Sequence, residues 1–247
     1  TLLVEGRYFE TTPISYSFVM QPVTDDVAAL PLNQTVTGAI GTAGQQDRYT
    51  FTLGGATQLY FDSLSASPNL TWSLSGPTGT VVTPRAFTNS DSADLYYGTN
   101  PVLILPPGAY TLSVDAYLDA TGSYAFRLMD LATATALTPG IVVNGTLNPA
   151  NETDLYRFTA QAGERVFFDQ QSLSGGSPYW RLLDPSGSQV FGPFGFSDVD
   201  VLTLPLTGTY TLLVEGRYFE TTPISYSFVM QPVTDEVVAL PLNQTVT

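Results

Sequence analysis

This chain of 247 residues contains no cysteine and no histidine. Without cysteine there are no disulfides and no thiolate metal sites. Without either residue the usual nucleophile–imidazole triads are excluded. Lysine is missing as well: the eight basic residues are all arginine, set against 22 acidic ones, for a net charge of −14. No basic run exists. Nucleic-acid binding is therefore not expected, because it needs clustered cations to displace counterions, and anionic membrane surfaces are disfavoured for the same reason. No stretch of 18 apolar residues is present, so no membrane insertion is expected of this segment. Sustained i, i+3, i+4 apolar spacing is also lacking, which argues against helices. Charged residues make up only 12% of the chain, about half the share usual in a soluble domain.

What is present is apolar and aromatic. Hydrophobic residues account for 43% and aromatics for 12%, enough to build cores and unlike a disordered composition. The pattern within them is two-residue alternation. Tyr49, Phe51 and Leu53 alternate with Arg48, Thr50 and Thr52. Tyr110, Leu112 and Val114 alternate with Thr111, Ser113 and Asp115. Successive side chains on a strand face opposite ways, so each run reads as a half-buried strand.

The chain repeats itself. Residues 1–37 and 211–247 agree at 35 of 37 positions, the exceptions being Asp26/Glu236 and Ala28/Val238. A window cut from an array with a 210-residue unit is expected. Residues 1–23 then read as the C-terminal strands of a preceding β-sandwich. Inside the unit lies a weaker period of about half its length: DRYTF from Asp47 matches DLYRF from Asp154, Trp72 matches Trp180, Gly76-Pro77-Thr78-Gly79 matches Asp184-Pro185-Ser186-Gly187, and Ser123-Tyr124-Ala125-Phe126 matches Ser225-Tyr226-Ser227-Phe228.

The expected organisation is all-β, with tandem antiparallel, jelly-roll-like β-sandwiches in a beads-on-a-string array. A linker occupies 24–34, a first sandwich 35–130, a second linker 131–141 and a second sandwich 142–233, with 234–247 as linker and start of the next repeat. Tyr49, Phe51, Phe61, Trp72 and Phe126 are the expected core of the first sandwich, and Tyr156, Phe158, Phe168, Trp180 and Phe228 that of the second. Both linkers are apolar and contain proline, which predicts extended segments packed on the domain ends.

The order of these motifs resembles the bacterial pre-peptidase C-terminal (PPC) domain. D-x-Y-x-F is followed by W-x-L, a Pro-x-Gly turn, a Gly-x-Tyr strand and a final Y-x-F strand. The residues are Asp47, Tyr49, Phe51, Trp72, Pro77, Gly79, Pro106, Gly108, Tyr110 and Val114, then Asp154, Tyr156, Phe158, Trp180, Pro185, Gly187, Gly208, Tyr210 and Val214. The resemblance implies a jelly-roll-like sandwich of secreted proteases and large surface proteins, some of which bind calcium or polymers such as collagen and chitin. For calcium it points to Asn151, Glu152 and Asp154, helped by Asp169. The matching stretch Gln45, Gln46, Asp47 offers a single carboxylate, and calcium needs six to eight oxygens. Calcium is left open on this basis, and no catalytic, cofactor or metal residue is assigned.

Two further features bear on function. Tyr110 and Tyr210 sit where a strand-corner tyrosine can bond a nearby carbonyl. Tyr96, Tyr97, Tyr179, Phe194 and Phe196 are candidates to stack on sugars if the loops 84–101 and 192–198 form an aromatic groove. The expected function is a non-enzymatic structural repeat of an extracellular or cell-surface bacterial filament, stalk or adhesin shaft. Its expected partners are copies of itself joined head to tail, because unpaired strands recruit partners. A module binding polysaccharide, collagen-like polymer or another surface protein is the alternative.

Overall fold

The computed structural model describes residues 1–91, 94 and 100–234. The fold is all-β, and its only helical segments among the described residues are short 3-10 turns such as Phe87–Asn89 and Leu131–Thr133. No helix among them is long and apolar enough to cross a membrane.

The first sandwich is built from β2 (Thr35–Ile40), β3 (Asp47–Leu53), β4 (Thr57–Ser63), β5 (Leu70–Gly76), β6 (Gly79–Ala86), β7 (Val102–Leu105), β8 (Gly108–Ala116) and β9 (Gly122–Asp130). It is preceded by β1 (Val27–Ala29). The second is built from β11 (Val142–Leu147), β12 (Thr153–Ala160), β13 (Arg165–Ser174), β14 (Tyr179–Leu183), β15 (Gln189–Gly195), β16 (Val199–Thr203), β17 (Gly208–Glu215) and β18 (Ile224–Val233), preceded by β10 (Thr135–Ala136). The strand orders correspond one to one. The five-stranded sheets run β1-β3-β8-β5-β6 and β10-β12-β17-β14-β15, and the four-stranded sheets run β2-β9-β4-β7 and β11-β18-β13-β16.

The inward residues of each pair of sheets make one core. All ten aromatics expected at the centres are buried, each 8% exposed or less. Phe61 stacks on Trp72 at 3.9 Å between centroids, and Phe168 meets Trp180 edge-on at 5.9 Å.

Each core also holds a repeated polar unit. Tyr124 donates its hydroxyl to Asp47 and lies 2.7 Å from the Tyr49 hydroxyl. Tyr226 does the same with Asp154 and Tyr156. The D-x-Y and Y-x-F motifs are thus two halves of one buried network. Gly38 and Gly145 complete it, because a Cβ at either would run into the ring of Tyr124 or Tyr226. The corner tyrosines behave as the sequence suggests: Tyr110 donates to the Pro106 carbonyl at 2.8 Å and Tyr210 to that of Leu206 at 2.7 Å.

The sandwiches are antiparallel as expected, and the linkers themselves join the sheets. β1 pairs parallel with β3 and β10 with β12. Leu30 and Leu137, at matching places, sink into the two cores. The two sandwiches are also in direct contact: the outer face of the sheet β2-β9-β4-β7 packs on the outer face of β10-β12-β17-β14-β15. Tyr60, Val102, Met129 and Leu131 meet Leu183, Leu213 and Leu155 there. This explains why β3 shows strict alternation of buried and exposed residues, whereas β4, β14 and β17 are buried on both faces.

Residues 1–23, expected as strands, form none. Their sequence is identical to that of 211–233. There the same residues complete β17, held between β12 and β14, and make β18, held between β11 and β13. A strand exists only where neighbours satisfy its backbone, and in this fold those neighbours are taken by 211–233. Phe18 is 62% exposed, while its copy Phe228 is fully buried.

The duplication supplies its own control. Tyr226→Phe strands the Asp154 carboxylate and should cost about 1–3 kcal/mol, read as a lower denaturant midpoint. Tyr16→Phe, the same change in the first copy, should leave that midpoint unmoved.

Candidate functional site

The part of the molecule where buried polar chemistry concentrates is the joint between the two sandwiches. Strands β4 and β9 present alternate residues outward from the first core, and β12, β14 and β17 do so from the second. Arg181 is 1% exposed and binds the fully buried Glu215 at 2.9 Å. The Tyr60 hydroxyl crosses from the other sandwich to Glu215 at 3.1 Å and Thr153 at 3.2 Å. Arg127 pairs with Asp62 of its own sheet at 2.6 Å and reaches over to Glu152 at 3.4 Å and to the Thr153 carbonyl at 3.0 Å. Asn151 donates to the Ser63 carbonyl, Gln58 to that of Pro185 and Asn100 to that of Gly187. Arg217 of the second sandwich pairs with Asp94 at 2.9 Å. The seam therefore combines leucines with ion pairs taken out of water, and its partners come from both sandwiches.

The joint is rich in carboxylates. Burial pushes Asp62 up to about 7, against the opposing pull of Arg127, and its Oδ1 has no donor among the described residues. Burial also raises Asp91 well above the ordinary carboxylate range, and Asp62 and Glu215 nearby add to this. The Asp91 carboxylate takes the Ser63 amide. Glu215 and Glu152 are raised by burial too, held back in Glu215 by Arg181 and in Glu152 by the Asn148 amide and Arg127. Every shifted carboxylate at the joint moves in the direction that favours a bound proton.

The calcium candidates have partners of a different kind. Asn151 spends its amide on the joint. Glu152 accepts the Asn148 amide and meets Arg127, Asp154 accepts Tyr226, and Asp169 accepts Gln171. In the first sandwich Asp47 accepts Tyr124 and the Gln45 side chain. The structure thus brings Glu152 and Asn151 to the joint and leaves Asp169 on the outer face of β13. Among the described residues no group of three or more acidic side chains is arranged to hold a metal ion.

Among the described residues the aromatic candidates do not assemble. Phe196, expected at the surface, is 5% exposed and packs 4.5 Å from the Trp180 ring, so it is core. Phe194 is 55% exposed but stacks on Phe191. The face of Tyr179 is taken by the Arg217 guanidinium at 4.8 Å. In the 84–101 loop Phe87 is fully buried and Ser90 accepts the Trp72 indole N–H at 2.7 Å; Tyr96 and Tyr97 lie outside the described residues. Sequence reasoning missed the joint. Its one visible signal is that β4, β14 and β17 carry apolar or ionic residues at positions where β3 and β8 carry threonine and serine.

No protein-family model matches the chain, and no curated protein does. Among solved structures it is similar to a periplasmic inhibitor of g-type lysozyme, PliG of Aeromonas hydrophila, at 18% identity with TM-score 0.30, over 40% of this chain and 96% of that one. It is also similar to the pre-peptidase C-terminal domain of a Bacillus anthracis collagenase, at 20% identity with TM-score 0.31, over 44% of this chain and 97% of that one. The CUB1-EGF-CUB2 domains of rat MASP-1 match at 9% identity with TM-score 0.28, over 83% of this chain and 99% of that one.

Two outcomes test the joint. A carboxylate whose folded pKa is raised contributes stability below its unfolded pKa and loses it as pH rises through the folded value. For Asp62 that window runs from the ordinary 3.8 to about 7. The melting temperature should therefore fall as pH rises through this window, and Asp91→Asn should flatten the decline. Arg127→Leu, which strips Asp62 of its cation, should cost about 3–5 kcal/mol. Arg48→Ala, at an exposed pair, should cost about 1 kcal/mol or less. Both costs are read from denaturant midpoints.

Proposed function

We propose that the chain is a structural repeat of an extracellular bacterial filament, stalk or adhesin shaft, joined head to tail with copies of itself and performing no catalysis. One observation carries this reading: the sequence that makes the central strands β17 and β18 at 211–233 occurs a second time, at 1–23, with its apolar side chains uncovered. Leu2, Val4, Ile14, Tyr16, Phe18 and Met20 are each more than half exposed. Burying such side chains is worth about 1.5–3 kcal/mol apiece, so seating the segment gains on the order of 10 kcal/mol before its ordering entropy is charged.

The seat it fits has the form of the clefts between β12 and β14 and between β11 and β13, either in the preceding part of a longer chain or in a neighbouring copy whose own 211–233 has given them up. Contacts of this type are heterologous. The donor surface differs from the acceptor surface, so the series does not close on itself and grows as a fibre. A charge-poor surface rich in hydroxyls, without cysteine or lysine, suits an exposed role of this kind.

Electron microscopy of the full chain at high concentration is the test, with Phe18→Asp alongside. The expected result is filaments from the unaltered chain and dispersed two-sandwich particles from the variant, whose second sandwich keeps Phe228. Dispersed particles from both would overturn assembly through this segment.

A further inference from the structure

The internal joint uses one face of each sandwich: the four-stranded face of the first and the five-stranded face of the second. The complementary pair of faces remains open. The outer face of β11-β18-β13-β16 carries Val142, 49% exposed, and Val201, 37% exposed, beside the half-buried Phe167. The outer face of β1-β3-β8-β5-β6 carries Thr50, Thr71, Ser73, Ser75, Thr111 and Ser113 along its centre, with Val27, 67% exposed, on β1 and Val81, 39% exposed, on β6.

The geometry points to the first of these faces as the seat for the second, supplied by the first sandwich of another copy. This inference rests on reading the chain as one stretch of a 210-residue repeat.

Three observations argue for it. The two sandwiches share one topology, so each face has a counterpart already engaged in the internal joint. The connections are equal in length: from Asp130 at the end of β9 to Val142 at the start of β11 is 12 positions (142 − 130), and from Val233 at the end of β18 to Thr245, the copy of Thr35, is also 12 (245 − 233). Both linkers dock identically on the sandwich they precede, as a parallel strand six positions ahead of the first strand (35 − 29 and 142 − 136). A sandwich tethered by the same length of chain and held by the same edge contact meets the one before it through the same faces.

The second joint has different chemistry. Register fixes the correspondence. Phe167 stands where Tyr60 does, and it has no hydroxyl to send across. Val229 stands where Arg127 does. On the other side Ser73 replaces Arg181, Ser113 replaces Leu213 and Ser75 replaces Leu183. None of the internal ion pairs can be reproduced, and the leucine seam becomes hydroxyls with Arg48 in the place of Leu155. Interfaces between domains that are small and polar permit relative motion, whereas large apolar ones do not. The repeat is then a stiff pair of sandwiches followed by a compliant contact.

Because the chain has no cysteine, introduced thiols are the only ones present. Two repeats in one polypeptide, spin-labelled at Asn69→Cys and Ser174→Cys, allow the same two sites to report each joint: within one unit, and from Ser174 of one unit to Asn69 of the next. The internal pair should give a narrow distance distribution. The second pair should give a defined peak at least about twofold broader, and Val142→Glu with Val201→Glu should abolish that peak while sparing the internal one. A featureless distribution for the second pair would overturn the inference, as would two peaks of equal width or a peak indifferent to the glutamates. The measurement is made with Phe18→Asp present, so its outcome is separate from whether residues 1–23 drive filaments.

Discussion

The arrangement of this molecule depends on charges removed from water between two sheets. Arg181 and Glu215 are almost wholly buried, and the hydroxyl that completes their shell belongs to Tyr60 on the other sandwich. Isolated buried charges cost several kcal/mol each, and an ion pair recovers that only when its geometry and remaining hydrogen bonds are right. Here they are right in a single relative placement of the two sandwiches. The leucines around the pair bury apolar surface at the seam, and Glu215 gains its last partner only where Tyr60 reaches it. Arg127 has the same role a strand away, tied at once to Asp62 in its own sheet and to Glu152 across the seam.

The two copies of TLLVEGRYFETTPISYSFVMQPV show how little of a strand is local. Composition, alternation and β-branching are the same in both. One copy is paired on both sides and the other on neither. Propensity made the sequence capable of strand, and partners decided it, because an extended segment must find its hydrogen bonds outside itself. The copy at 211–233 also contributes to three things together: the second core, the Tyr226–Asp154 network and the Glu215 anchor.

Much of the fold was legible. Alternation located the strands of both sandwiches, and the matched aromatics gave the two cores. The repeated Asp, Tyr and Gly positions were visible as motifs, although their union in one buried network was not, because nothing in a linear pattern says that Asp47 and Tyr124 meet. The joint was harder. An outward-facing Arg181 or Glu215 reads like any solvated strand residue, and only the pairing of the two sheets reveals that no water reaches it. Phe196 was misjudged for the opposite reason. Glycines and a proline around it suggested a surface loop, whereas β15 runs through that loop and turns the ring onto Trp180.

The linkers show what the pairing of short segments means under load. Val27–Ala29 and Thr135–Ala136 run parallel to the strands they join, with Asp26 accepting Arg48 and Leu30 donating to Thr50. Bonds in such a ladder lie across the strand direction at even spacing. A pull along the linker strains them together in shear, instead of opening them one after another as a zipper would. A load placed on either linker would thus reach β3 or β12, strands of the two cores, through a short row of bonds that share it.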